Sequence, residues 1–130
     1  IDAIKAQEQD PNIIVMGDFN DDPSSKSIQV LKEGSGLFNP METLHIPESK
    51  GTSIYGGKWN LFDQVLVSSS FFNHEKNTHS FDTAGIFNHK SLKEKTGKYK
   101  GSPYRTFVAH KYMGGYSDHF PVYAVFTLNS

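Results

Sequence analysis

The stretch Ile13-Ile14-Val15-Met16-Gly17-Asp18-Phe19-Asn20 decides the reading of this chain. Its first half is a short, continuous apolar run, as expected of a strand buried on both faces, and we place that strand over residues 12–16. Asp10-Pro11-Asn12 in front of it is a turn signal. From Gly17 to Asp22 the sequence turns polar, so the strand delivers Asp18 and Asn20 to a loop at its C-terminal end. In extended backbone, residues two apart point to the same side. That spacing predicts that a carboxylate and an amide converge on one spot. Each residue is also an ordinary turn former, so this stretch alone is no more than suggestive.

A second polar motif lies one hundred positions further on: Ser117-Asp118-His119-Phe120-Pro121-Val122, leading into a well-alternating strand through Leu128. Val122, Ala124, Phe126 and Leu128 fall on one of its faces, with Tyr123 and Val125 on the other. A third carboxylate, Asp63, opens the run Gln64-Val65-Leu66-Val67. Between these, the pattern predicts a helix after Pro23 capped by Ser24 or Ser25 and closed by Gly34. It also predicts strands over residues 52–55 and 61–67 about a turn at Gly56-Gly57-Lys58, and another strand over 78–88. Residues 1–9 read as the end of a helix, and residues 90–104 as a long Lys- and Gly-rich loop.

Composition bounds the function. The chain has 130 residues and no cysteine, which excludes disulfide frameworks, thiolate metal sites and cysteine nucleophiles. No apolar run approaches a membrane span. The chain opens on Ile1 within a helical pattern, so the expectation is that more chain lies upstream; localisation cannot be read from the sequence. A net charge of −1 argues against bulk electrostatic binding to nucleic acid. Six of the 13 basic residues nevertheless cluster between Lys90 and Arg105, with Glu94 as the one acid among them. Such a stretch suits a phosphate-bearing ligand, although most charge runs are simply solvated.

The motif residues point to proton and metal handling. Asp18 can hold a divalent metal or accept a proton from water, and Asn20 can donate to an oxygen gaining charge. Ser117, Asp118 and His119 are adjacent and cannot form a serine triad among themselves. Separate roles follow: Asp118 towards a metal and His119 towards a phosphoryl oxygen. Asp63 is the best candidate to fix the tautomer of His119 and favour its charged form. Taken one at a time, His119 would be a satisfied half-buried histidine and Asp63 a routine strand-start residue.

Together the motifs resemble the endonuclease/exonuclease/phosphatase superfamily, which includes deoxyribonuclease I, abasic-site endonucleases, inositol polyphosphate phosphatases and sphingomyelinases. Gly17-Asp18-Phe19-Asn20 matches the family's Gly-Asp-x-Asn, and Ser117 to Val122 matches its Ser-Asp-His-x-Pro-Val. Asp63 to Ser68 matches the family's strand that begins with the histidine-orienting Asp and ends in Ser. The resemblance runs from about residue 12 to 128, by layout more than by residue in the middle.

The resemblance implies an α/β (α+β) fold: half of a four-layer α/β sandwich, a mostly antiparallel mixed sheet with helices on one face. Residues 1–130 would form one unit, the C-terminal portion of such a domain, with its N-terminal half missing. It implies a Mg2+-dependent hydrolase, with Mn2+ as an alternative, in which water attacks phosphorus in line. Asp18 would orient or deprotonate the water, Asn20 and His119 would stabilise the phosphorane, Asp63 would buttress His119, and Asp118 would join Asp18 in the metal shell. The family's principal metal-binding Glu belongs to the other half. The expectation is therefore that the chain alone binds metal weakly, is inactive, and exposes a face prone to self-association. Arg105 is a candidate phosphate clamp and Trp59 a candidate stacking platform, against the plainer readings of a surface ion pair and a core cap. The substrate would be a phosphoester in nucleic acid, phospholipid or sugar/inositol phosphate. A non-catalytic module binding a phosphate ligand or nucleic acid is the rival reading.

Overall fold

A computed structural model describes all 130 residues. Its strands pair only antiparallel, as four two-stranded sheets. β1 (Ile14–Asp18) pairs with β4 (Asp63–Val67), β2 (Ser53–Tyr55) with β3 (Lys58–Asn60), β5 (His79–Ile86) with β8 (Val122–Leu128), and β6 (Phe107–Val108) with β7 (Lys111–Tyr112). Two helices, α1 (Asp2–Lys5) and α2 (Lys26–Ser35), complete a mixed α+β fold.

β4 is the centre of the molecule because its sequence has apolar residues on both faces. Val65 and Val67 point one way, into a cluster with Met41, Leu61 and Phe71. Phe81, Ala84 and Ile86 of β5 and Val122, Ala124 and Phe126 of β8 pack onto that cluster. Leu66 points the other way and meets Ile13 and Leu37, flanked by Val15, Phe19 and Leu31. The result is three layers: α2, the β1–β4 pair, and the β5–β8 pair. Leu66, Val65 and Val67 are at most 1% exposed, and each contributes about 1.5–3 kcal/mol by leaving water.

α2 forms because Ile28 and Leu31 recur at helical spacing and face inward. It starts after Ser25 and ends at Gly36, whose left-handed backbone (φ 66°) closes the last turn. The stop is two residues later than the expected Gly34, which lies inside the helix. Its exposed side is tied down by the Lys32–Glu42 ion pair and by Gln29, which donates to Glu42 at 3.1 Å.

Other expectations shift. β1 begins at Ile14 and includes Asp18. The Gly56-Gly57 turn joins Ser53–Tyr55 to Lys58–Asn60, and not to the strand after Asp63. The basic segment after Lys90 is folded back on itself, with Glu94 N donating to Ser102 O and Gly101 N to Glu94 O, both at 2.9 Å. Thr106 to Met113, only weakly patterned in sequence, closes the β6–β7 hairpin. The alternation of β8 holds through Phe126, but Leu128 lies past the inner cluster and is exposed. On β1, Ile14 and Met16 oppose Val67 and Val65 in register yet are exposed, since the β5–β8 pair does not reach over them. No helix is long and apolar enough to cross a membrane.

Candidate active site

The register of the β1–β4 pair builds the site. Ile14 pairs with Val67, and the ladder runs on until Asp18 pairs with Asp63. Two carboxylates are thereby placed opposite each other at the mouth of the sheet, one from the last residue of β1 and one from the first of β4. Phe19 N donates to Phe62 O at 2.9 Å just beyond them, so the ladder stays closed to this point. Hydrophobic pairing deeper in the sheet thus fixes where the two acids meet.

His119 arrives from the other layer. It sits in a loop before β8, because Pro121 has no N–H for a ladder and pairing starts at Val122. Its Nδ1 lies 2.8 Å from Asp63 Oδ2, and their side chains are 23% and 18% exposed respectively. The hydrogen bond that His119 donates to Asp63 raises the His119 pKa; partial burial opposes this, while the charges of Asp63, Asp118 and Asp18 assist it. Nδ1–H is therefore the donor to Asp63, and His119 is biased towards imidazolium. Ligating atoms of Asp18, Asp63 and His119 all lie within 4.8 Å of one another.

Asn20 does not sit as an extended-strand argument predicts. It adopts left-handed backbone (φ 52°), which Asn tolerates better than most residues, and its N–H donates to Asp18 Oδ1 at 2.8 Å. The loop thus orients the Asp18 carboxylate through its own backbone, and leaves the exposed Asn20 amide without a partner in the chain. Asp118 is exposed beside His119 and is not among the three converging residues. Ser117 Oγ accepts from His119 N at 3.1 Å, so that serine shapes the loop.

Several positioning residues carry no motif. Gln64 belongs to an apolar run, yet it is fully buried and saturated. It donates to Leu61 O (2.6 Å) and Asp21 O (3.1 Å) and accepts from Asn39 Nδ2 (3.0 Å). Asp22 Oδ1 accepts from Leu61 N at 2.7 Å. These bonds lock the loop after Asp18 onto the start of β4. The one signal of this in the sequence is a lone amide within a run of valine and leucine, since buried amides are kept only when paired.

Trp59 and Arg105 stand to one side. The Trp59 ring stacks on Phe120, centroids 5.9 Å apart and planes at 19°. Its backbone is held by His45, whose Nε2 donates to Trp59 O at 2.8 Å. Arg105 donates through Nη2 to Ile54 O at 3.3 Å and pairs with no carboxylate. Tyr104 O accepts from Tyr116 N (2.8 Å) and Ser117 N (3.4 Å), so the basic segment is stitched to the His119 loop. Gly115 is required there, because a Cβ would lie 2.1 Å from Tyr104 O.

A carboxylate pair and an acid-oriented histidine thus meet at the ends of paired strands. The profile of the Endonuclease/Exonuclease/phosphatase family matches residues 1–128, and the chain belongs to that family. No curated protein and no solved structure matches it significantly.

Proposed function

We propose that this chain carries a reaction centre for metal-dependent, Mg2+-assisted hydrolysis of a phosphoester. The observation that supports it is the convergence of Asp18, Asp63 and His119, with His119 oriented by Asp63, whose hydrogen bond raises the imidazole pKa. The donor set fits a hard divalent cation: carboxylate oxygens, one of them exposed and fixed from behind by a backbone N–H. Mg2+ takes one or two carboxylates and keeps the rest of its shell for water and substrate phosphate, and Mn2+ accepts the same donors. Asp18 would hold it, with Asp118 on the neighbouring loop as a further candidate ligand outside the converging trio. Bound there, the cation supplies Lewis-acid polarisation of a phosphoryl oxygen.

The remaining roles fall to the chain. Asp18 orients the attacking water and accepts its proton. His119, held as imidazolium by Asp63, donates from Nε2 to a phosphoryl oxygen as charge builds on it. Asn20 donates its free amide to the same charge. With so few carboxylates, the centre on its own holds the cation weakly, and turnover by the isolated chain is negligible. The exposed Ile14 and Met16 beside it support a reading in which further protein covers this side of β1.

Two measurements test the reading. Mn2+ added to the isotopically labelled chain should broaden amide signals of residues 17–20 and 118–119 before any others, and Asp18→Ala should abolish the effect. Broadening spread over the surface would refute the metal site. Robust Mg2+-dependent cleavage of an activated phosphodiester by the purified chain would instead refute its inactivity.

A further inference from the structure

A well-formed cavity lies apart from the Asp18–His119 centre. It lies between the β2–β3 hairpin and the folded-back basic segment, with a volume of about 520 Å³. That is ample for one drug-sized ligand. Its floor and walls are Ile54, Trp59 and Tyr99, and Lys98, Lys100 and Arg105 bring three cationic groups to it. None of these three makes an ion pair within the chain. Glu94 is the single acid at the cavity.

Both edges of the cavity are joined to the His119 loop. Trp59 stacks on Phe120, the residue after His119. Tyr104, next to Arg105, holds Tyr116 and Ser117 through its carbonyl. A ligand in the cavity is therefore coupled, through Trp59 and Tyr104, to the loop that carries His119.

The lining distinguishes between phosphorylated ligands. A polyol needs many donors and acceptors, whereas the charged groups here are three cations against one acid, Glu94. Ser102 is already committed to Tyr99 O at 2.5 Å. Aromatic and aliphatic faces with unpaired cations suit a planar ring bearing phosphate. We propose that this cavity is a nucleotide subsite: a base packs against Trp59 and Tyr99, and its phosphate is held by Arg105 with Lys98 and Lys100. The subsite's role rests on the hydrolase reading, because it would hold the unit next to the cleaved ester.

The chain has one tryptophan, so a single indole N–H resonance reports on the cavity. In chelator, adenosine 5′-monophosphate should shift that resonance saturably, and ribose 5-phosphate and inorganic phosphate should bind at least about tenfold more weakly. Arg105→Ala should weaken the mononucleotide about ten- to a hundred-fold, as expected for losing charge-assisted hydrogen bonds, and Arg105→Lys less so. The exposed pair Lys98→Ala/Lys100→Ala should flatten the salt dependence without touching the fold. Asp18→Ala should leave binding intact, which separates failure of the chemistry from failure of the subsite. A short single-stranded oligonucleotide that binds more tightly than the mononucleotide would assign the site to a strand; equal affinity would assign it to free nucleotides. The proposal is overturned if the mononucleotide binds no better than ribose 5-phosphate. It also fails if neither the Arg105 nor the lysine variants weaken mononucleotide binding.

Discussion

Replacing Asp63 by asparagine removes one charge from the site while keeping its shape. In the native chain Asp63 Oδ2 accepts from His119 Nδ1 at 2.8 Å, and the bond raises the imidazole pKa. In the Asp63→Asn variant the side-chain amide still offers a carbonyl oxygen to that proton, so the change isolates the charge. A hydrogen bond to a charged group is worth about 1.5–3 kcal/mol, and a neutral one about 0.5–1.5 kcal/mol. With both side chains about four-fifths buried, screening trims the difference to about 1 kcal/mol. The sign follows from linkage. A folded-state pKa above the unfolded value of about 6.5 makes the contribution fully present below that value and lost as pH rises through the folded pKa. Urea unfolding of both proteins in chelator should therefore show a stability gap of about 1 kcal/mol on the acid side that narrows on the alkaline side. The His119 ring signal, assigned by its absence in His119→Ala, should titrate at lower pH in Asp63→Asn. An unchanged midpoint together with a pH-independent gap would refute the coupling, and with it the assignment of His119 as an imidazolium donor.

Leu66→Ala empties a fully buried position between α2 and the sheet. It should cost about 2–5 kcal/mol by denaturant unfolding. Gln64→Leu strands Asp21 O, Leu61 O and Asn39 Nδ2. A loss of about 1–3 kcal/mol is expected, with faster amide exchange confined to residues 17–22; unaltered exchange there would show that Gln64 does not hold the loop. Gly115→Ala drives a methyl group into Tyr104 O. It should cost about 1–3 kcal/mol and displace the Trp59 indole resonance, since Tyr104 ties the cavity to the loop that carries His119.

What can be read from the sequence is whatever is local. Apolar runs ending in Gly17-Asp18 and following Asp63 mark strand ends, so both carboxylates are visible there, and Ser117-Asp118-His119 stands out before an alternating strand. Register is non-local. Nothing near Asp18 states that it lies opposite Asp63; that follows from Ile14 seeking Val67 and Met16 seeking Val65. The Asn20 conformation departs from expectation for a related reason, since its left-handed backbone depends on the Asx turn made with Asp18. Gln64 is hidden by its neighbours, because hydrophobic patterning says nothing about an amide with every bond satisfied. The strand Lys58–Asn60 is too short to carry a period of its own.

The direct opposition of Asp18 and Asp63 makes the centre an all-or-none reporter of folding. A slip of one residue between β1 and β4 would turn one strand's alternate side chains over, exchanging the layer facing α2 with the layer facing β5–β8. The same slip would part the two acids and leave His119 without its acceptor. No partially registered state keeps the two acids and His119 together, so insertion or deletion within either strand should abolish the core and the site in a single step. The loops around the cavity are free of that constraint. The basic segment can therefore vary in sequence, while the acids stay pinned by the strand pairing behind them.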